Sequence, residues 1–301
     1  SSWVQQRIAE AIISSEESFF AEKAVKTDTP TVSSISFPQL KTVEEFEGWV
    51  QKVLEFERTC HLEFFGQESD LAEFEATLKK YGPEKMMAWL ALGLEPHFLP
   101  KVVIHRDRDF LGWKVKPENW FWKQVAAGKI LRNRNGELVA EIEVGLEGIT
   151  VLIDTRLKPC YKNGRQMWDG DILLGPILLH LREEGKIARY EYGSQDSRFG
   201  VSADEWEGEI KPAFAGKIGL PAEQTMLEPV IVANMIPQIY SYLPRNNDGK
   251  TDTWVWYEEY FVDRSDRLCG GDSGGGGLAR VDRRGAWNHW YDRSFRPLAV
   301  L

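Results

Sequence analysis

The spacing of apolar residues switches near Pro100, and that switch limits what the chain can fold into. Upstream, Val4, Ile8, Ile12 and Ile13 repeat at helical spacing, and Phe46, Trp49, Val50, Val53 and Leu54 do so again between Thr42 and Phe56. Thr42-Val-Glu-Glu45 supplies a capping box, in which the Thr hydroxyl and the Glu45 carboxylate satisfy each other's exposed amides at the helix start. Lys26 to Pro38, rich in Thr, Ser and Pro, reads as a loop or linker. Two more helices are expected at Ser69 to Tyr81 and Pro83 to Leu94, divided by Gly82-Pro83.

Downstream of Pro100 the pattern becomes short β-branched runs separated by turn residues: Lys101 to His105, Glu137 to Val144 and Ile149 to Asp154. Gly128 to Leu131 and Leu138 to Glu143 flank Asn133-Arg-Asn-Gly136 and predict an antiparallel hairpin, and a second turn falls at Asn163-Gly164. Helices are expected at Asp171 to Glu184, ending near Gly185, and at Ser202 to Phe214, where Ser202 and Glu205 form another capping box and Pro212 ends or kinks the helix. Val230 to Ile236 and Thr253 to Val262 read as strands separated by a turn at Arg245 to Lys250. The expected fold is therefore α+β, with a helical N-terminal region over 1–98 and a mixed α+β domain with antiparallel sheet over 99–301. No internal repeat of solenoid length is present.

Composition narrows the functional classes. Hydrophobic residues at 43% and charged residues at 28% predict a packed core and exclude wholesale disorder. A formal net charge of -9 argues against a nucleic-acid-coating surface, since neutralising phosphates needs a net excess of Lys and Arg. The exception is local: Arg280, Arg283, Arg284, Arg293 and Arg296 form either a basic patch or a solvated strip. Cys60, Cys160 and Cys269 are far apart with no CxxC pair, which fits a reducing, cytoplasmic setting. No apolar run reaches the roughly 20 residues of a membrane span. Ser1-Ser2-Trp3 does not look like a signal peptide, although it also lacks an initiator Met, which leaves secretion open.

The loudest motif is Gly270-Gly-Asp-Ser-Gly-Gly275, because Gly-Asp-Ser-Gly-Gly is the nucleophile signature of chymotrypsin-like proteases. The matching base is missing: Ala126-Ala127-Gly128 stands where Ala-Ala-His would be wanted, and a Ser hydroxyl with no imidazole has nothing to take its proton. A hydrolase using Ser273 with His289 in a non-standard order remains the enzymatic alternative. The five His are scattered without ligand spacing, so no metal is expected, and His180 on an apolar helix reads as a core or boundary residue. Asp169 and Asp171 are read as helix caps rather than cation ligands. Gly274 to Gly277 lacks a following Lys-Ser/Thr pair, so no nucleotide cofactor is expected.

Tryptophan is the residue that most needs a role, with 12 in the chain. Trp254 and Trp256, two apart in a strand, share one sheet face and are expected in the core. Asn288, His289, Trp290, Tyr291 and Asp292 are five consecutive bulky residues, and they cannot all face inward. Aromatic and Arg side chains together are the usual anchors of binding surfaces.

Four segments carry a family likeness: Thr253-Trp-Val-Trp-Tyr-Glu-Glu259, Leu268-Cys-Gly-Gly271, Ala279-Arg-Val-Asp-Arg-Arg-Gly-Ala-Trp-Asn288 and Phe295-Arg-Pro-Leu298. Together they resemble the C-type lectin fold of formylglycine-generating enzymes and of variable proteins of diversity-generating retroelements, most clearly over 253–301. Ala286 departs from the usual Ser, and the stretch from Trp287 to Phe295 is short for the family. Cys269 stands alone, so the oxidase activity of one branch is not carried over. The variable-protein branch implies a solvent-facing ligand surface, here Asp272, Ser273, Arg280, Asp282, Arg284, Trp287, Asn288, His289, Trp290, Tyr291 and Asp292. The strand pattern agrees in kind, placing Leu278 and Val281 inward and the charges outward. The expectation is a non-catalytic binding protein without a cofactor, recognising a protein or other macromolecule and not nucleic acid. A structural or regulatory subunit docked through its helical N-terminus is the further alternative.

Overall fold

In the computed structural model, which describes residues 40, 42–155, 161–162, 165–166, 171–243, 252–272 and 277–301, helix α1 (Val43–Phe65) opens with the predicted capping box. The Thr42 hydroxyl accepts the Glu45 N–H at 3.1 Å, and the Glu45 carboxylate accepts the Thr42 N–H at 3.0 Å. The predicted stripe of Phe46, Trp49, Val50, Val53 and Leu54 is buried. Helix α2 (Ala72–Ala91) is broken at Gly82, whose φ of 74° and ψ of 177° no helix accommodates. The two expected helices thus exist as two halves, with the second ending before Leu94. The helix expected around Ile8 and Ile12, the linker over 26–38 and the turns at 163–164 and 245–250 lie outside the described residues.

The chain continues through β1 (Leu94–Leu99), β2 (Val102–Ile104), α3 (Asn119–Ala126), β3 (Ile130–Arg134), β4 (Glu137–Ala140), β5 (Val144–Leu146) and β6 (Ile149–Asp154). The β3–β4 hairpin turns at Asn135 and Gly136, both at positive φ, and the Asn133 carboxamide accepts the Gly136 N–H at 2.9 Å. Next come β7 (Tyr161–Lys162), β8 (Arg165–Gln166), α4 (Gly175–Glu183) and α5 (Ala203–Glu205). The Ser202–Glu205 capping box forms, and a π-helical stretch over Trp206–Ile210 then leads into α6 (Lys211–Ile218). Pro212 sits in the first turn of α6, where its missing N–H is tolerated, so the helix runs on to Ile218.

β9 (Thr225–Leu227) precedes a correction: Val230 to Ile236 is not a strand but lies in helix α7 (Val230–Ile239). Its residues are buried on every side, which removes the amphipathic period that separates helix from strand. The remaining strands are β10 (Asp252–Phe261), β11 (Asp263–Asp272), β12 (Val281–Gly285), β13 (Arg293–Phe295) and β14 (Pro297–Val300). Leu278 does not join a strand facing the core as expected. It lies half-buried in a 3-10 turn, Gly277–Ala279, while Val281 is buried.

The fold is α+β, a helical N-terminal region followed by antiparallel sheets with packed helices. One sheet has the order β1-β6-β14-β9. The other runs β12-β11-β10-β3-β4, and β13 adds to β10 in parallel beside Trp254, Val255 and Trp256. Arg296 alone links β13 to β14, so a single residue carries the chain from one sheet into the other. Strand β1 is buried throughout and includes both residues 98 and 99, where the division between regions was expected. All of these elements belong to the unit Phe37–Leu301.

Buried charges stitch the elements together. Arg198 donates to Asp171 at 2.6 Å and Asp154 at 2.7 Å, all three fully enclosed or nearly so, and Asp171 also accepts the N–H groups of Leu173 and Leu174 ahead of α4. Glu57 on α1 accepts from the Tyr240 hydroxyl at 2.8 Å and contacts His97 on β1 at 2.6 Å. Burial disfavours charge on both, yet their mutual attraction wins, holding His97 up at about 9 and, with help from His61, Glu57 down at about 2. His180, expected at the boundary, is exposed and pairs with Glu184 at 3.3 Å one turn later.

Candidate binding surface

Strand β12 alternates, and that alternation sets the first part of the surface. Arg280, just before it, and Asp282 and Arg284 within it fall on one face and are half-buried. One oxygen of Asp282 takes Arg284 at 2.7 Å and Arg280 at 3.3 Å, while Arg280 also reaches Glu118 at 3.4 Å. The opposite face turns Val281 inward. Gly270 lies across from Val281, and a Cβ there would stand 2.1 Å from the Arg280 carbonyl oxygen and 2.7 Å from the Tyr257 hydroxyl. Only glycine lets β11 approach this closely.

The turn from β12 to β13 carries the second part. Ala286 is buried and anchored in both directions, its N–H to Ser265 O at 2.7 Å and its carbonyl accepting the Asp204 N–H at 3.1 Å. The Asn288 N–H closes onto Gly285 O at 3.1 Å, and the Arg293 N–H onto Trp290 O at 3.2 Å. The Tyr190 hydroxyl donates to Tyr291 O at 3.0 Å. A fixed backbone therefore presents side chains to water: Trp287 is 66% exposed, Trp290 44% and Tyr291 40%. Tyr192, 53% exposed, packs its ring 5.3 Å from that of Tyr291 and extends the aromatic patch.

His289 is exposed on the same turn, with Nε2 3.0 Å from a Glu205 carboxylate oxygen. That hydrogen bond is the main cause holding the His289 pKa above its usual value, against its partial burial. Glu205 is lowered because its bonds to His289, Ser202 and Ala188 outweigh burial. Asn288 and Asp292 are half-buried beside these residues.

The five arginines of the C-terminal tract do not form a solvated strip. Arg293 and Arg296 are each 3% exposed, and Arg283 pairs with Asp266. Arg293 packs its guanidinium carbon 5.8 Å from the Trp254 ring, 5.1 Å from Trp256 and 5.2 Å from Trp290. Arg280 also stacks on Trp254, so Trp254 and Arg293 join the β12 face to the turn. Of the expected core pair, Trp256 is 1% exposed and Trp254 half-buried.

Arg280, Asp282 and Arg284 are thus assembled on β12, and Trp287 to Asp292 on the adjoining turn. Asp272 ends β11 opposite Asp252, and Ser273 lies outside the described residues. Sequence reasoning missed Tyr192, Glu205 and Arg293. Glu205 was legible only as a helix cap, and Tyr192 is distant in sequence. Among the described residues no three His, Cys, Asp or Glu are arranged to hold a metal, and no helix is long and apolar enough to cross a membrane. No family model, curated protein or solved structure matches the chain.

Proposed function

We propose that the chain is a non-catalytic binding protein that recognises a protein or other macromolecule through Arg280, Asp282, Arg284 and the turn from Trp287 to Asp292. The observation that carries this reading is the row of exposed rings, Trp287, Trp290, Tyr291 and Tyr192, on a backbone tied down at Ala286, Asn288 and Tyr291. Rings held in place lose little freedom on binding, so burying them yields affinity at small entropic cost. The likeness to variable proteins of diversity-generating retroelements supports the same reading, as that branch of the C-type lectin fold uses this region for ligands. Buried free thiols at Cys60 and Cys269 fit a cytoplasmic setting, and the net charge of -9 disfavours nucleic acid as the ligand.

The test is to pan a phage library of random twelve-residue peptides on the immobilised chain and on a W287A/W290A variant. Enrichment on the parent and none on the folded variant is the expected result. Equal enrichment on both would remove the surface from the reading, and a variant that no longer melts cooperatively would show that the rings serve the core. A fluorophosphonate probe is expected to leave Ser273 unlabelled, while labelling there would favour the hydrolase alternative.

A further inference from the structure

Arg293 is a buried cation with two guanidinium nitrogens that no protein group satisfies. It is 3% exposed, and its Nε and Nη1 have no hydrogen-bond partner. Three tryptophan faces surround it, and cation–π attraction offsets part of the lost hydration but supplies no acceptor for the N–H groups. Buried polar groups are almost always satisfied, so a guanidinium left this way calls for an acceptor from elsewhere. Trp290 spans the distance from this group to solvent, its ring 5.2 Å from the guanidinium carbon and 44% exposed.

Asp282 is shared by Arg280 and Arg284, Arg280 also pairs with Glu118, and Asp292 acts on Arg293 itself, so it is the unpartnered guanidinium nitrogens, and not an excess of positive charge, that call for an anion. Resting on the proposal that this is a binding surface, we infer that Arg293 receives a carboxylate of the ligand, and that the ligand is a peptide segment in which Asp or Glu adjoins an apolar or aromatic side chain. The carboxylate sits at the edge of Trp290 and accepts from the guanidinium, while the neighbouring side chain covers Trp290 and Tyr291. A polyanion is a poorer fit, because a chain carrying a net charge of -9 repels many phosphates at once but not one carboxylate within an apolar segment.

The same panning tests the inference. Peptides recovered on the parent chain should carry an excess of Asp and Glu next to aromatic or aliphatic residues. Replacing the acidic residue of a recovered peptide by its amide should weaken binding roughly tenfold to a hundredfold, the range of a charge-assisted hydrogen bond to a buried group. R293Q should abolish that difference between acid and amide peptides while still binding both, and R293K, which keeps the charge, should retain part of it. The peptide comparison needs no variant, so it decides the acid preference even if R293Q fails to fold, and R293K then decides the residue: an undiminished preference in R293K alongside its loss in R284Q would overturn the assignment to Arg293. Enriched peptides with no acidic bias, or an acid preference that survives R293Q, would overturn the assignment and leave the binding surface standing. No enrichment over W287A/W290A would overturn the binding surface itself. Binding of a single-stranded DNA 12-mer that R293Q abolishes would give the anion site to nucleic acid and overturn the peptide.

Discussion

Nδ1 of His97 lies 2.6 Å from a carboxylate oxygen of Glu57, and neither side chain reaches solvent. The pair joins β1 to α1, and the Tyr240 hydroxyl bonds the second Glu57 oxygen from the end of α7. Three elements distant in sequence therefore meet at one charged contact.

That contact predicts a pH dependence of stability. His97 is raised from 6.5 to about 9, so its contribution is complete below about pH 6.5 and is lost as pH rises through 9. At about 1.4 kcal/mol per pH unit, the loss is on the order of 3 kcal/mol. Glu57 is lowered from 4.5 to about 2, so its share is present above pH 4.5 and is lost on acidification towards 2. Urea midpoints measured from pH 6 to 9.5 should fall steeply for the parent chain and distinctly less for H97Q, in which Glu259, held up at about 7 by burial, and His289 still titrate. Parallel curves would show that the pair is uncharged.

Gly270→Ala should destabilise the second sheet. The added methyl meets the Arg280 carbonyl, which cannot retreat without disturbing the β11–β12 ladder, and the ring edge of buried Tyr257 on β10. A loss of roughly 2–3 kcal/mol is expected in urea denaturation, the range for overpacking against fixed backbone. A variant as stable as the parent would mean that β12 is free to shift.

What the sequence made legible was local. Both capping boxes and the Asn-Gly hairpin are written within a few residues, and each forms as read. What it hid was set by distant partners. Val230 to Ile236 looks like a strand because a helix enclosed on all sides has no polar face, and its first N–H is capped by Glu259 at 3.0 Å from another element. Arg293 and Arg296 read as members of a tract that was either a basic patch or a solvated strip, yet tryptophan rings enclose the first, and the Asp154 carbonyl accepts from the second at 3.0 Å. The aromatic turn was legible because five bulky residues in a row cannot all be buried, whereas Tyr192 joins it only through the fold.

Trp256→Ala and Trp287→Ala should differ sharply in stability. Trp256 is 1% exposed, and its indole N–H bonds Val201 O at 2.9 Å, so truncation leaves both a cavity and an unmet acceptor. A loss of roughly 3–5 kcal/mol is expected for it. Trp287, at 66% exposure, should change stability by less than about 0.5 kcal/mol. Thermal melts of the two variants decide this, and a comparable loss in Trp287→Ala would place its ring among the structural residues.

Glu205→Ala should destabilise more than His289→Ala, although the two side chains form one ion pair. Glu205 also accepts the N–H groups of Ser202 at 2.9 Å and Ala188 at 2.5 Å, so its loss uncaps α5 and releases the segment that leads to Tyr190. Roughly 2 kcal/mol is expected for Glu205→Ala from the lost cap and the unmet amides. His289 is 41% exposed and should lose less than about 1 kcal/mol. Because the His289 pKa is raised, its small contribution is present at pH 6 and fades as pH rises through the folded value. Urea denaturation at pH 6 and pH 9 reads both: the gap between the two variants should be the same at both values, while each draws closer to the parent at pH 9, where His289→Ala approaches it. Equal losses at both values would show that Glu205 acts only through His289.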